Sequence, residues 1–263
     1  MAKPTATVLF IADVVGKPGY GILATYLPSL KKKFDADLCV INGENGEKGK
    51  GTTENLVKQY TTLGVDVVTG GNHSWTYASF RRYLDQSNRV LRPANYPDEA
   101  PGKGATVLQT ESGFSIGVLN LQGRAFMYPI DCPFKRGMQE IERLRQQTKI
   151  IIVDVHAEAT AEKLALGWHF DGRVSAVIGT HTHVQTADER ILPKGTAFIT
   201  DAGMTGPNDS VIGLDVDVAI KRFISGIPEF YQVATANNRI NGVVVRIDAE
   251  TGHAQSIERI NLP

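Results

Sequence analysis

Short apolar runs recur along the chain, each closed by polar or glycine-rich residues, and the stretches between them place apolar residues at helical spacing. The first run, residues 7–12, stops at Asp13. Residues 20–34 follow with Ile22, Leu23, Tyr26, Leu27, Leu30 and Phe34 near one face, which predicts a helix kinked at Pro28. Lys31, Lys32 and Lys33 then fall in its last turn, where they complement the helix dipole. Residues 38–42 predict a second strand, Thr53 a cap for a helix over 54–63, and residues 65–69 a third strand. A helix over 76–84 is expected next, then irregular chain through Pro93, Pro97 and Pro101, and a hairpin over 105–121 that turns at 111–113. Residues 124–136 have loop character and 137–147 helical character; a strand over 149–155 and a helix over 159–166 come next. The apolar run 174–178 predicts another strand. Further strands are expected at 197–200, 241–247 and 253–260, and the excursion 207–240 holds one helix near 216–224. Strand and helix alternate, so the fold class is α/β with a core of parallel strands, in a single domain over residues 1–263.

What closes these strands is chemically unusual. In chain order five of them end at Asp13, at Glu44 and Asn45, at Asn72 and His73, at His156, and at His181 with His183. Open parallel sheets bind ligands beyond the carboxyl ends of their strands. If the last strand continues past Gly179, alternation puts His181 and His183 on one side of it. Each residue taken singly has an ordinary explanation. Asp13 and Glu44 could cap helices, Asn72 could serve a left-handed turn, and His156 could be a core histidine. Their coincidence at five strand ends points instead to metal ligation. A donor set of carboxylates, amides and imidazoles without cysteine suits Mn, Fe, Co or Zn, and is too rich in nitrogen for Ca or Mg. It exceeds what one open-site metal needs, so two metals about 3.5–4 Å apart, sharing a carboxylate, fit better. Glu44 is the better bridging candidate than Asp13. Paired cations would acidify a bridging water and neutralise the oxygens of a phosphoryl group.

Composition narrows the partners. Lys plus Arg and Asp plus Glu both total 28, so the net charge is zero, which argues against duplex DNA or an anionic membrane found by long-range attraction. A small anion held by a local metal charge stays compatible. The two cysteines, Cys39 in an apolar run and Cys132, build no disulfide framework, and a cytoplasmic location is expected. No apolar run approaches membrane-spanning length, and residues 1–7 lack the apolar core of a secretory leader. The segment 113–117 matches a serine-hydrolase elbow, but Ser115 follows a turn and precedes a strand, so a hairpin is preferred. Residues 43–52 lack the phosphate-loop register, and Gly16, Gly19 and Gly21 miss the dinucleotide fingerprint. His169 and His253 are read as structural. Trp75 and Tyr77 follow His73; helix packing is the preferred reading for them, and stacking on a nucleobase the sharper one.

The strand-end blocks, Asp13 to Gly16, Asn42 to Asn45, Gly71 to His73, His156 to Glu158 and Gly179 to Asp188, resemble the bacterial YmdB-type metallophosphoesterases. The likeness runs on through residues 201–206. The chain departs from the family's habit at Ala12 and Thr76, neither of them an expected ligand. This resemblance implies a four-layer α/β/β/α sandwich and a dinuclear site, usually of iron or manganese. It implies phosphodiesterase activity on 2′,3′-cyclic nucleotides, with a metal-bridging hydroxide as nucleophile. By the same resemblance Asp13, Glu44, Asn45 and His183 hold one metal, and Glu44, Asn72, His156 and His181 the other. His73 is then the proton donor to the leaving sugar oxygen. The expected partner is a small cyclic nucleotide or phosphodiester, with no membrane and no duplex DNA, and homo-oligomerisation is left open. Two other readings, a nucleotide-sensing regulator with little turnover and an amide hydrolase, use the same donors.

Overall fold

The seven residues Thr5–Ile11 form β1, buried from Ala6 onward, and the chain turns past Asp13 into α1 (Gly16–Phe34). The computed structural model describes residues 3–263, so the part of the leader expectation that rests on Met1 and Ala2 lies outside the described residues. β2 (Leu38–Asn42), α2 (Glu54–Thr62) and β3 (Val67–Thr69) follow. A single 3-10 turn, Ala78–Phe80, leads into α3 (Arg81–Gln86) and β4 (Val90–Leu91). Then come β5 (Ala105–Gln109), β6 (Ser115–Gln122), α4 (Pro133–Arg145), β7 (Ile150–His156) and α5 (Thr160–Phe170). β8 (Ala176–Thr180), β9 (Arg190–Ile191), β10 (Ala197–Ile199) and β11 (Gly206–Pro207) precede α6 (Val216–Ser225). The chain closes with β12 (Asn238–Asp248) and β13 (Ala254–Leu262).

The strands make two sheets, one ordered β11-β12-β1-β2-β3-β4 with β13 added beside β12, the other β5-β6-β7-β8-β10-β9. The parallel core expected from the alternation is present in each sheet: β1 to β4 in the first, β6, β7, β8 and β10 in the second. The margins are antiparallel, β12 against β1 over seven residue pairs and against β13 over eight. Three apolar clusters account for the layering. Val8, Phe10, Val118, Ile152, Ile178 and Val243 fill the space between the sheets. Leu23, Leu27 and Val57 of α1 and α2 cover the first sheet, and Ile141, Leu144 and Leu166 of α4 and α5 cover the second. This is the four-layer α/β/β/α sandwich.

Differences from the sequence expectations have local causes. α1 begins at Gly16, not 20, because its first inward positions are Gly16 and Gly19, which carry no apolar side chain to register in the pattern. α1 also runs unbroken through Pro28. α4 starts at Pro133, where the loop was expected to continue to 136; proline at the first helical position is a start signal. The two-residue strands β4, β9 and β11 are too short to show a period.

Polar groups join the sheets at one end. Asn42 at the end of β2 donates from Nδ2 to Asp154 Oδ2 of β7 at 3.0 Å, and Thr69 at the end of β3 donates to the same oxygen at 2.5 Å. The carboxyl ends of β1, β2 and β3 therefore meet those of β7 and β8 across the sandwich, and the chemistry collects there.

Candidate metal centre

All eight strand-end residues come to this junction. Asp13 is fully buried two residues past β1, and Glu44 and Asn45 sit in a tight turn after β2, started by Asn42 Oδ1 accepting from Glu44 N at 3.2 Å. The chain after β3 passes so close to the His156 ring and the Glu44 carboxylate that a Cβ at Gly71 would strike both. That approach lets the His73 amide donate to Glu44 Oε2 at 3.0 Å. His156 is the last residue of β7.

The two remaining histidines correct one expectation. β8 stops at Thr180, and the backbone of His181 and His183 is left-handed, with φ of 99° and 66°, so no strand alternation aligns them. Asp201 holds this loop instead. Its Oδ2 accepts from Thr182 N at 3.1 Å, from Thr182 Oγ1 at 2.7 Å and from Lys163 Nζ at 2.7 Å. Lys163 also donates to Thr180 O at 3.2 Å, and both members of this ion pair are buried.

Glu44, Asn72, His156 and His181 converge most closely. Around His156 Nε2 lie Glu44 Oε1 at 2.9 Å, His181 Nδ1 at 3.0 Å and Asn72 Oδ1 at 3.1 Å. One nitrogen with at most one proton cannot satisfy three lone-pair donors. Glu44, His156 and His181 each offer one ligand atom, all within 4.8 Å of one another. Beside them His183 Nε2 stands 3.8 Å from Asp13 Oδ1. Asp13 Oδ1 and Asn45 Oδ1 are buried without a hydrogen-bond partner. Asn45 Nδ2 donates to Gly49 O at 3.1 Å, which leaves its oxygen free for a cation. Buried orphan oxygens and crowded imidazole lone pairs are a fit for metal ions, and the hard and borderline donors suit transition metals.

The electrostatics agree. Burial pushes the Asp13 carboxyl well above the usual range, against the pull of His156, and nearby Asp201, Glu44 and Asp154 push the same way. Burial also raises Glu44, but His156 and the His73 amide outweigh it and bring Glu44 down to about 2. For His156 burial is overcome by Glu44, Asp13 and Asp154, which lift it to about 9. Without metal its proton supplies the charge that a cation there would take over. Burial, then His156, depresses His181 to about 3, and burial depresses His183 and His73.

Thr180, Glu158 and Ile212 set the tautomers of the three histidines. Thr180 Oγ1 donates to Asp154 Oδ1 at 2.7 Å, so toward His156 Nδ1 at 3.0 Å it can only accept. That fixes the His156 proton on Nδ1 and turns Nε2 inward. His181 Nε2 lies 3.2 Å from Glu158 Oε2, which turns its Nδ1 inward, and His183 Nδ1 donates to Ile212 O at 2.8 Å, which frees Nε2. The sequence reading assigned no role to Asp154, Lys163 or Asp201. Asp154 sits within the apolar run of β7, and a charged residue in so apolar a strand was the available signal. Replacing Thr180 by valine keeps the shape and removes the relay. Metal affinity is expected to fall about 10- to 100-fold, measured by titration calorimetry with Mn²⁺.

Trp75 is occupied elsewhere: its Nε1 donates to Pro101 O at 3.1 Å and its ring meets Tyr96 edge-on at 4.5 Å. Trp75 is thus packed, but from a turn and against loop residues, where helix packing was expected. His73 lines the open cleft with Glu44, Asn45, His181 and His183, a space of about 360 Å³. His169 and His253 do not line it.

A family model described as YmdB-like protein matches residues 9–260. The chain belongs to the YmdB-like metallophosphoesterase family. It is 49% identical to the 2′,3′-cyclic-nucleotide 2′-phosphodiesterase of Bacillus subtilis, with 96% of each chain covered. It is 37% identical to a putative phosphatase/phosphodiesterase of Mycoplasma genitalium, over 97% of this chain and 92% of that one. A crystal structure described as a novel phosphatase from Mycoplasma pneumoniae superposes with a TM-score of 0.92 at 35% identity, covering 100% of this chain and 94% of the other. A hypothetical protein from Thermus thermophilus gives 0.89 at 39% identity, covering 98% of this chain and 100% of the other. The likeness in fold thus extends over nearly the whole chain. Among the described residues no helix is long and apolar enough to cross a membrane.

Proposed function

We propose that this protein is a dinuclear phosphodiesterase that opens 2′,3′-cyclic nucleotides at the 2′ ester. The observation that carries the reading is the surplus of buried lone pairs around His156 Nε2, with the orphan oxygens of Asp13 and Asn45 beside it. Asp13, Asn45 and His183 with Glu44 would hold one ion, and Asn72, His156 and His181 with Glu44 the other, iron or manganese by donor type. Bound there, two cations would activate water and neutralise the phosphoryl oxygens. The chain's own work is orientation and proton supply. Glu44 stays ionised and ties the β2 turn to the His73 amide. His73, on the open side of the cleft, would hold the proton that the departing O2′ needs.

The B. subtilis relative carries a 2′-phosphodiesterase name, which supports this substrate class and predicts the product. Breaking the P–O2′ bond leaves a nucleoside 3′-phosphate. Freshly purified protein supplied with Mn²⁺ is expected to convert 2′,3′-cyclic AMP to the 3′-monophosphate, and to stop when a chelator removes the metal. Tight nucleotide binding without product across Mn²⁺, Fe²⁺ and Zn²⁺ would replace the enzyme by a sensor.

A further inference from the structure

We propose that a second cavity, next to the metal cleft, receives the nucleobase of the substrate. It encloses about 520 Å³ between the starts of α1 and α2, in the usual range for a small-ligand site. Tyr20 and Tyr231 line it with aromatic rings, that of Tyr231 carrying Lys50 Nζ 5.3 Å from its centroid, and Asn55 and Gln59, one helical turn apart on α2, supply amides. Aromatic faces accept any base by stacking, and amides pair with base edges. Lys17, Lys48 and Glu47 also line the cavity. Tyrosine faces beside amides fit a planar, neutral, polar-edged ligand better than a lipid tail.

The position relative to the metal cleft carries the proposal further. Tyr231 lines both spaces. The backbone between them is shared as well: Gly46 of the cavity follows Asn45 of the cleft, and the Gly16 amide donates to Asn45 O at 3.0 Å. Tyr231 lies against Gly49 so closely that a Cβ there would strike its ring, and Gly49 O is the group that fixes the Asn45 amide. The cavity is thus the neighbour of the cleft on its Tyr231 side, where the nucleoside of a phosphate held at the cleft could turn. Trp75, for which the sequence left stacking as the sharper alternative to packing, does not line this cavity and is committed to Pro101 and Tyr96.

This inference rests on the phosphodiesterase reading, and its test has an arm that does not. In the metal-free full chain, adenosine without phosphate is expected to shift the side-chain amide signals of Asn55 and Gln59 in a titration followed by NMR. In the metal-loaded enzyme, the double variant Asn55→Ala with Gln59→Ala is expected to lower kcat/KM for 2′,3′-cyclic AMP, relative to a base-free aryl phosphodiester, by about tenfold. Both side chains are exposed, so the fold is kept, and a thermal melt verifies it. Unmoved amide signals, or a ratio that stays within about twofold of the parent protein, would overturn the proposal. Absence of turnover on both substrates by the parent enzyme would instead sink the phosphodiesterase reading, and the adenosine titration would still decide what this cavity takes.

Discussion

Replacing His73 by glutamine is expected to slow hydrolysis of 2′,3′-cyclic AMP by about 100- to 10,000-fold, the usual worth of a positioned proton donor. Metal content and KM should hardly change, because the His73 side chain is not among the groups that converge on His156 Nε2. Its structural tie to Glu44 runs through the backbone amide, which glutamine preserves. The leaving group tells proton donation from a general structural defect. A sugar oxygen leaves poorly without a proton, whereas a nitrophenolate needs none. The same variant should therefore retain most of its activity on an aryl phosphodiester. Steady-state rates on the two substrates decide the matter, and an equal loss on both would remove His73 from the role.

Glutamine at Glu44 should act differently. The substitution keeps the shape but replaces one carboxylate oxygen by an amide that donates. Losing several kcal/mol of charge stabilisation corresponds to about a thousandfold in rate, and here both substrates should suffer alike. Metal bound per chain should fall as well, as measured by elemental analysis of the purified variant. The His156 imidazole should also titrate lower, because Glu44 is the strongest of the groups that raise it. Full metal content with an undiminished rate would exclude Glu44 as a ligand.

Much of this was visible in the sequence because each donor follows an apolar run, and the end of such a run is easy to locate. Asp13, Glu44, Asn72 and His156 needed only that rule. His181 and His183 also follow such a run, but the path of their loop was hidden, because it is set by Asp201 and Lys163, whose contacts are distant in sequence. Asp154 was hidden by its neighbours, since the apolar residues on either side of it in β7 read as a simple buried strand with it ignored. The antiparallel addition of β12 beside β1 joins opposite ends of the chain, and no local period records such a pairing. The start of α1 was lost because its buried first turn is made with glycine.

The hydrogen bond from His181 N to Asp13 Oδ2 at 3.2 Å spans 168 residues of chain. A nascent polypeptide still lacking β8 owns some of the donors but not the cage, since the rest has yet to be synthesised and docked. Loop closure over such separations is slow compared with helix formation. For any newly made copy, a complete cage must then wait until residues 181–183 have been made and docked beside Asp13. Ion capture would therefore report that the two sheets have come together, since the donors are divided between them.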